Sequence, residues 1–278
     1  MTGTQELSPA SPIGIFDSGL GGLSVLRALQ RQMPHESVVY LADTANVPYG
    51  DKPISVVCDL ALRLTQTLLA RGCKIVVMAS GTSTVAGLEA AHALYPKELI
   101  LGTIDVGAQA ALAVASGPIG VLATNATAHS LAFTHAIHQR APERQVVEQG
   151  CPQFVPLVEE GRGETLDAVD AAREYLAPLQ QAGVQTIILG CTHFPFLLPA
   201  LQKAAATFAG DGFFPQYVDP AAEVVREAAA LLAERGLLAS PDTVPALQFA
   251  STANPETFGC HAAALLGHDL PPAALLRL

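Results

Sequence analysis

Short apolar runs alternate with helix-patterned segments along nearly the whole chain, and this alternation constrains the fold more than any other feature. Ile13 to Phe16 precedes a glycine-rich turn and the helical Leu23 to Gln32, and Val38 to Leu41 precedes a loop and Ser55 to Ala70. Ile75 to Met78 leads into Val85 to Leu94, Glu98 to Ile104 into Gly107 to Ala115, and Ile119 to Ala123 into His129 to Gln139. A weaker strand, Gln145 to Glu148, precedes the helical Leu166 to Gln181, and Thr186 to Leu189 precedes Pro199 to Phe208. Gln216 to Val218 is a short strand before the Ala/Leu-rich helix Ala221 to Arg235, and the strand Ala246 to Ala250 and helix Pro255 to Leu266 follow. The strand runs carry few charges, as strands covered on both faces require. Strand and helix alternating through short links is the pattern of a parallel, doubly wound sheet. The expected architecture is α/β, with two similar doubly wound lobes, mainly parallel sheets and a cleft between them.

The bulk numbers exclude several classes. Hydrophobic residues make up 50% and charged ones 14% of 278 residues, which rules against disorder. A net charge of −10 argues against nucleic acid or an anionic membrane as partner. No apolar run reaches the roughly 18 residues of a spanning helix. The first residues lack a basic region and an apolar core, so they do not read as a signal peptide, and the chain up to about Ser11 reads as a flexible lead-in. Five cysteines, an odd number with no CxxC, argue against a disulfide framework or zinc site and for the reducing cytosol.

The chemistry gathers just after the strands. Ile187-Ile188-Leu189 ends in Gly190-Cys191-Thr192-His193-Phe194-Pro195. Ligands of open α/β sheets bind outside the carboxyl ends of strands. A thiol there beside an imidazole is a candidate acid/base or nucleophile, against the bland alternatives of a core cysteine and a satisfied core histidine. Asp17-Ser18-Gly19-Leu20-Gly21-Gly22 follows a strand and opens a helix, but neither the dinucleotide spacing nor a Walker lysine is present. Asp17 there reads equally as a helix cap. Asp43 to Lys52 is a polar loop in which Tyr49, between Pro48 and Gly50, is either a surface turn residue or held over a pocket. Thr124 and Thr127 read by themselves as ordinary N-capping. Cys58 and Cys73 read as packing, Cys151 and Cys260 have no polar constellation around them, and His135 and His138 form a solvated face without a third ligand.

Together these residues resemble the glutamate racemases of the aspartate/glutamate racemase superfamily, from about Pro12 to Leu266. The resemblance rests on Gly14 to Gly22, Asp43 with Pro48-Tyr49-Gly50-Asp51, and Gly190 to Pro195. Pro152 with Val155 to Glu159, Thr124 with Thr127, Asp219, and Thr252 to Phe258 add to it. It implies a cytoplasmic, cofactor-independent, metal-free isomerase that interconverts L- and D-glutamate for peptidoglycan synthesis. Two cysteines would act on opposite faces of the substrate α-carbon. Cys191 matches the second, with Asp17 and His193 as polar partners. Ser18, Pro48, Tyr49, Gly50, Thr82, Thr124, Thr127 and Thr192 would hold the substrate, and Glu159 falls on a family carboxylate near the site. The resemblance also suggests a discontinuous first lobe, residues 1–103 plus 214–278, and a second lobe, 104–213. The expected partners are glutamate and a second copy of the chain in a homodimer.

The chain departs from the family at the first cysteine. Where the family has Cys followed by Asn and Thr, this sequence has Ser80-Gly81-Thr82. A hydroxyl is far less acidic than a thiol of pKa near 8.5, so Ser80 is a poor proton donor. Ser80→Cys is expected to restore turnover, and Gly81→Asn with it to restore a substrate contact. Two rival functions follow from the single thiol. One is decarboxylation of substituted malonates, for which Gly81-Thr82-Ser83 resembles an oxyanion loop one residue out of register. The other is ligand binding without catalysis.

Overall fold

The structure, a computed structural model, describes residues 7–278. Residues 1–6, most of the expected lead-in, lie outside the described residues. From Leu7 onward the lead-in is held: the Ser11 amide bonds the Ser8 carbonyl, and the Pro9 carbonyl accepts from Lys74 Nζ at 2.7 Å.

In chain order the elements are β1 (Ile13–Asp17), α1 (Leu23–Gln32), β2 (Val38–Ala42), α2 (Ile54–Ala70), β3 (Ile75–Met78) and α3 (Gly81–Leu94). Next come β4 (Ile100–Leu101), α4 (Ile104–Val114), β5 (Ile119–Ala123), α5 (Asn125–Ser130), α6 (Ala132–His138), β6 (Val146–Gly150) and α7 (Phe154–Glu159). Then follow α8 (Leu166–Gln181), β7 (Thr186–Leu189), α9 (Leu198–Ala206), β8 (Gln216–Val218), α10 (Pro220–Glu234), β9 (Leu247–Ser251), α11 (Pro255–Leu266) and β10 (Ala273–Leu275).

The strands form two sheets, one of six in the order β10-β9-β2-β1-β3-β4 and one of four in the order β6-β5-β7-β8. Every pairing among them is parallel. The fold is therefore α/β with two doubly wound lobes. The register sets Asp17 beside Ala42 and Phe16 beside Met78 in one sheet, and Leu122 beside Leu189 in the other. All the polar strand ends consequently emerge at the carboxyl edges of their sheets. Residues 216–218 pair with β7 in the four-stranded sheet, and the chain recrosses at Asp219 into α10, which packs on α1.

Two local expectations change. The helix over His129 to Gln139 is broken at Leu131, which adopts a left-handed conformation (φ 54°). Ser130 Oγ donates to the Thr127 carbonyl and accepts the Ala132 amide, closing α5 and opening α6. The strand expected over Glu98 to Ile104 shortens to two residues, because Ile104 already starts α4. The short α7 and the edge strand β10 have no periodic signal in the sequence.

At the amino edge of the six-stranded sheet, Lys74 is buried against Glu36 at 2.5 Å and also donates to the Leu237 carbonyl. The pair ties the lead-in and the segment after α10 to β3.

Candidate active site

β1 ends at Asp17, which is fully buried. Its Oδ1 accepts the Gly19 amide at 3.0 Å, and its Oδ2 accepts the Thr192 hydroxyl at 2.9 Å. Thr192 stands at the end of β7 in the other sheet, so this bond crosses between the lobes. Asp17 closes a turn and also joins the site. Ser18 is buried in the same turn. The glycines after it serve close approach: a Cβ on Gly19 would collide with the Glu159 carboxylate, and one on Gly21 with the His193 ring.

At the end of β7, Cys191 Sγ lies 3.7 Å from His193 Nδ1. His193 Nε2 lies 2.7 Å from Glu159 Oε1, and that same oxygen accepts the Leu20 amide at 2.8 Å. Burial by itself disfavours the charged form of both partners. At His193 the bonds to Cys191 and Glu159 outweigh burial and hold the imidazole well above its usual range. At Glu159 the contacts with His193 and Leu20 outweigh burial and hold the carboxyl below its usual range. Sulfur, imidazole and carboxyl thus form one chain of proton-holding groups. Glu159 is engaged on both sides, by the imidazole and by the Leu20 amide.

At the end of β3, Ser80 caps α3, its Oγ accepting the Ser83 amide at 3.4 Å. The oxygen accepts in that bond, which leaves the hydroxyl proton unused. Gly81, next along, faces the Gly190 carbonyl of β7. Thr82 Oγ1 lies 2.9 Å from Thr124 Oγ1 and 3.4 Å from Thr127 Oγ1, and Thr124 donates to Thr127 at 3.1 Å. Thr124 also caps α5, as its position suggests, but the cap sits inside a cluster of three hydroxyls shared by both lobes.

The loop after β2 is anchored on Asp43. Its carboxylate accepts Tyr49 Oη at 2.6 Å, Thr252 Oγ1 at 2.7 Å and the Asn46 amide. The tyrosine is buried, with its hydroxyl on Asp43. Burial first, and then Asp43, push its hydroxyl far above the usual range. Pro48 follows a cis peptide bond, and Gly50 lies against Thr124.

The structure thus brings Asp17, Cys191, Thr192, His193 and Glu159 into one network, and Thr82, Thr124 and Thr127 into another. Asp43 and the Leu20 amide join them without having been assigned a role from sequence. A backbone donor leaves no side-chain signal, whereas Asp43 with Asn46 three residues on is a legible loop anchor. Among the described residues no three His, Cys, Asp or Glu side chains gather as they would around a metal ion. No helix among them is long and apolar enough to cross a membrane.

Comparison with known proteins places this geometry among relatives. The sequence model of the Asp/Glu/Hydantoin racemase family matches residues 13–228. A glutamate racemase of Corynebacterium glutamicum is 38% identical over 250 residues, 89% of each chain. One from Microcystis aeruginosa is 41% identical over 251 residues, 90% of this chain and 86% of the relative. Among solved structures, a glutamate racemase isoform of Bacillus anthracis superposes with a TM-score of 0.89 at 30% identity, covering 96% of this chain and 98% of that one. A glutamate racemase of Francisella tularensis, solved with D-glutamate, gives 0.88 at 27% identity, covering 97% and 98%.

Proposed function

The chain belongs to the Asp/Glu/Hydantoin racemase family, and from that premise we propose that it is a glutamate racemase, a cofactor-independent cytoplasmic isomerase supplying D-glutamate for peptidoglycan. The relatives at 38% and 41% identity are glutamate racemases, and the Francisella neighbour was solved with D-glutamate. The single observation that carries the reading is the Cys191–His193–Glu159 chain at the end of β7. The sulfur removes the α-proton of the enantiomer that presents it, by family resemblance the L form. His193 holds a proton against the same sulfur, and Glu159 fixes the ring. Ser18, Tyr49-Gly50, Thr82, Thr124, Thr127 and Thr192 supply hydroxyls and loop amides for the substrate's ammonium and carboxylates.

Substrate entry parts the lobes. The Asp17–Thr192, Leu20–Glu159 and Thr82–Thr124 bonds all link the lobes and satisfy the groups a glutamate would need. On the far face Ser80 is the proton donor, and a hydroxyl, far less acidic than a thiol, is a weak one. That single-thiol asymmetry favours a second reading, decarboxylation of a substituted malonate with Cys191 as the only proton donor. Binding without chemistry is the third. The homodimer belongs to the same proposal, and a monomer by analytical ultracentrifugation would remove it.

Circular dichroism of purified protein with L- and with D-glutamate decides between the readings. Interconversion supports the racemase. Carbon dioxide release from an arylmalonate without interconversion transfers the site to the second reading. Glutamate binding with neither turnover nor α-proton exchange transfers it to the third.

A further inference from the structure

Beside Cys191 lies a cavity of about 10 Å³, at the junction of α1, the ends of β3 and β7, and the N-terminus of α10. That is the room of a single water molecule. Ser24, Thr103, Cys191, Thr192 and Asp219 contribute its polar walls. Ser24 is 2% exposed, and its hydroxyl has no hydrogen-bond partner in the protein. A buried hydroxyl left unpaired is costly, so a site that pairs it is favoured. Asp219 caps α10, its Oδ1 accepting the Ala221 amide at 2.9 Å. Burial pushes its carboxyl above the usual range, against the pull of that amide and of Arg27. A water needs two to four polar partners, and these walls supply them.

We propose that this cavity binds one water molecule joining Ser24 Oγ and the Asp219 carboxyl to Cys191, which makes Asp219 a positioning residue for the thiol. The inference rests on the reading of Cys191 as the acid/base group and deepens it. His193 holds the sulfur from one partner; the water supplies a second, and carries the field of a carboxylate to it. The titratable groups that bear on the cavity are Asp219, Arg27 from α1, and, beside Cys191, Asp17, Cys151, Glu159 and His193. β3 carries no charge, and the one charge on α4, Asp105, pairs with Arg140 at the surface. On α10 itself Glu223 pairs with Arg226, and Glu227 and Glu234 lie further along the helix.

The test is the pH dependence of Cys191 alkylation by iodoacetamide in the full chain. It is read by mass spectrometry on the peptide that holds Cys191, so the other four cysteines do not contribute. Asn at position 219 keeps the helix cap. Asp219→Asn removes a negative neighbour and should move the midpoint down by about one pH unit. Ser24→Val fills the cavity, strips the thiolate of its water donor and should move the midpoint up. Either variant with a native melting temperature and an unmoved midpoint overturns the proposal; if one does not fold, the other decides. Glutamate racemisation is followed in parallel. Midpoint shifts without racemisation overturn the racemase reading and leave the water site, whereas racemisation without shifts overturns the water site alone.

Discussion

A Cβ built on Gly81 comes within 2.7 Å of the Gly190 carbonyl oxygen. The first turn of α3 and the end of β7 meet across the lobes only because position 81 has no side chain. Asn at this position, expected from sequence to restore a substrate contact, would push against backbone rather than against a flexible side chain. Gly81→Asn should therefore destabilise the ligand-free protein by about 1–3 kcal/mol, the usual range for overpacking. On the proposed parting of the lobes by substrate, saturating glutamate should return most of the loss. Melting curves with and without glutamate check this, and an unchanged ligand-free melting temperature would show that the contact yields freely.

Ser80→Cys should raise net racemisation by about 10² to 10⁴, the usual worth of a general acid or base. The same change weakens the α3 cap at a cost of about 0.5–1 kcal/mol, a small loss because the bond to Ser83 is long at 3.4 Å. In D₂O the unmodified protein should put deuterium into L-glutamate faster than D-glutamate accumulates, because the carbanion recaptures its proton from Cys191. Cys191→Ala should abolish both. An unmodified protein that racemises as fast as Ser80→Cys would show Ser80 to be an adequate donor.

The His193–Glu159 pair has a defined pH window. The folded His193 titrates above its unfolded value near 6.5, so its contribution is full below about pH 6.5 and fades as pH rises through the folded value. Glu159 titrates below its unfolded value near 4.3, so its contribution is full above about pH 4.3 and fades as pH falls through the folded value. Glu159→Gln should cost most, about 1.5–3 kcal/mol, between about pH 4.3 and 6.5, and less at alkaline pH. The difference in melting temperature between the two proteins across pH measures this. A flat difference would mean the pair is not ionised.

Tyr49→Phe removes a buried hydrogen bond of 2.6 Å to the Asp43 carboxylate. The expected loss is about 1.5 kcal/mol of stability. Because the same loop rests on Thr124 through Gly50, KM for glutamate should rise more than kcat falls. Steady-state kinetics in which kcat alone drops would place Tyr49 in the proton-transfer step instead.

Much of this molecule is local and was legible as such. The period of apolar residues is a property of each backbone segment, so Leu166–Gln181 and Pro255–Leu266 appear in the structure with the bounds their patterns predict. Cys191 and His193 were readable together because two residues of a strand end cannot be far apart. The break at Leu131 was not, since it depends on where one serine hydroxyl turns. The rest of the site depends on how two sheets face each other. Asp17 and Thr192 are 175 residues apart and Leu20 and Glu159 are 139 apart. No periodicity links such positions. Most strands and helices, the thiol, and the replacement of its expected counterpart by Ser80 could be read along the chain. Folding adds that Glu159 holds His193, that Gly81 faces the Gly190 carbonyl across the lobes, and that Ser24 and Asp219 meet beside Cys191. Those contacts are made by packing across the cleft, where the partner of each group is chosen by the fold and not by its neighbours in the chain.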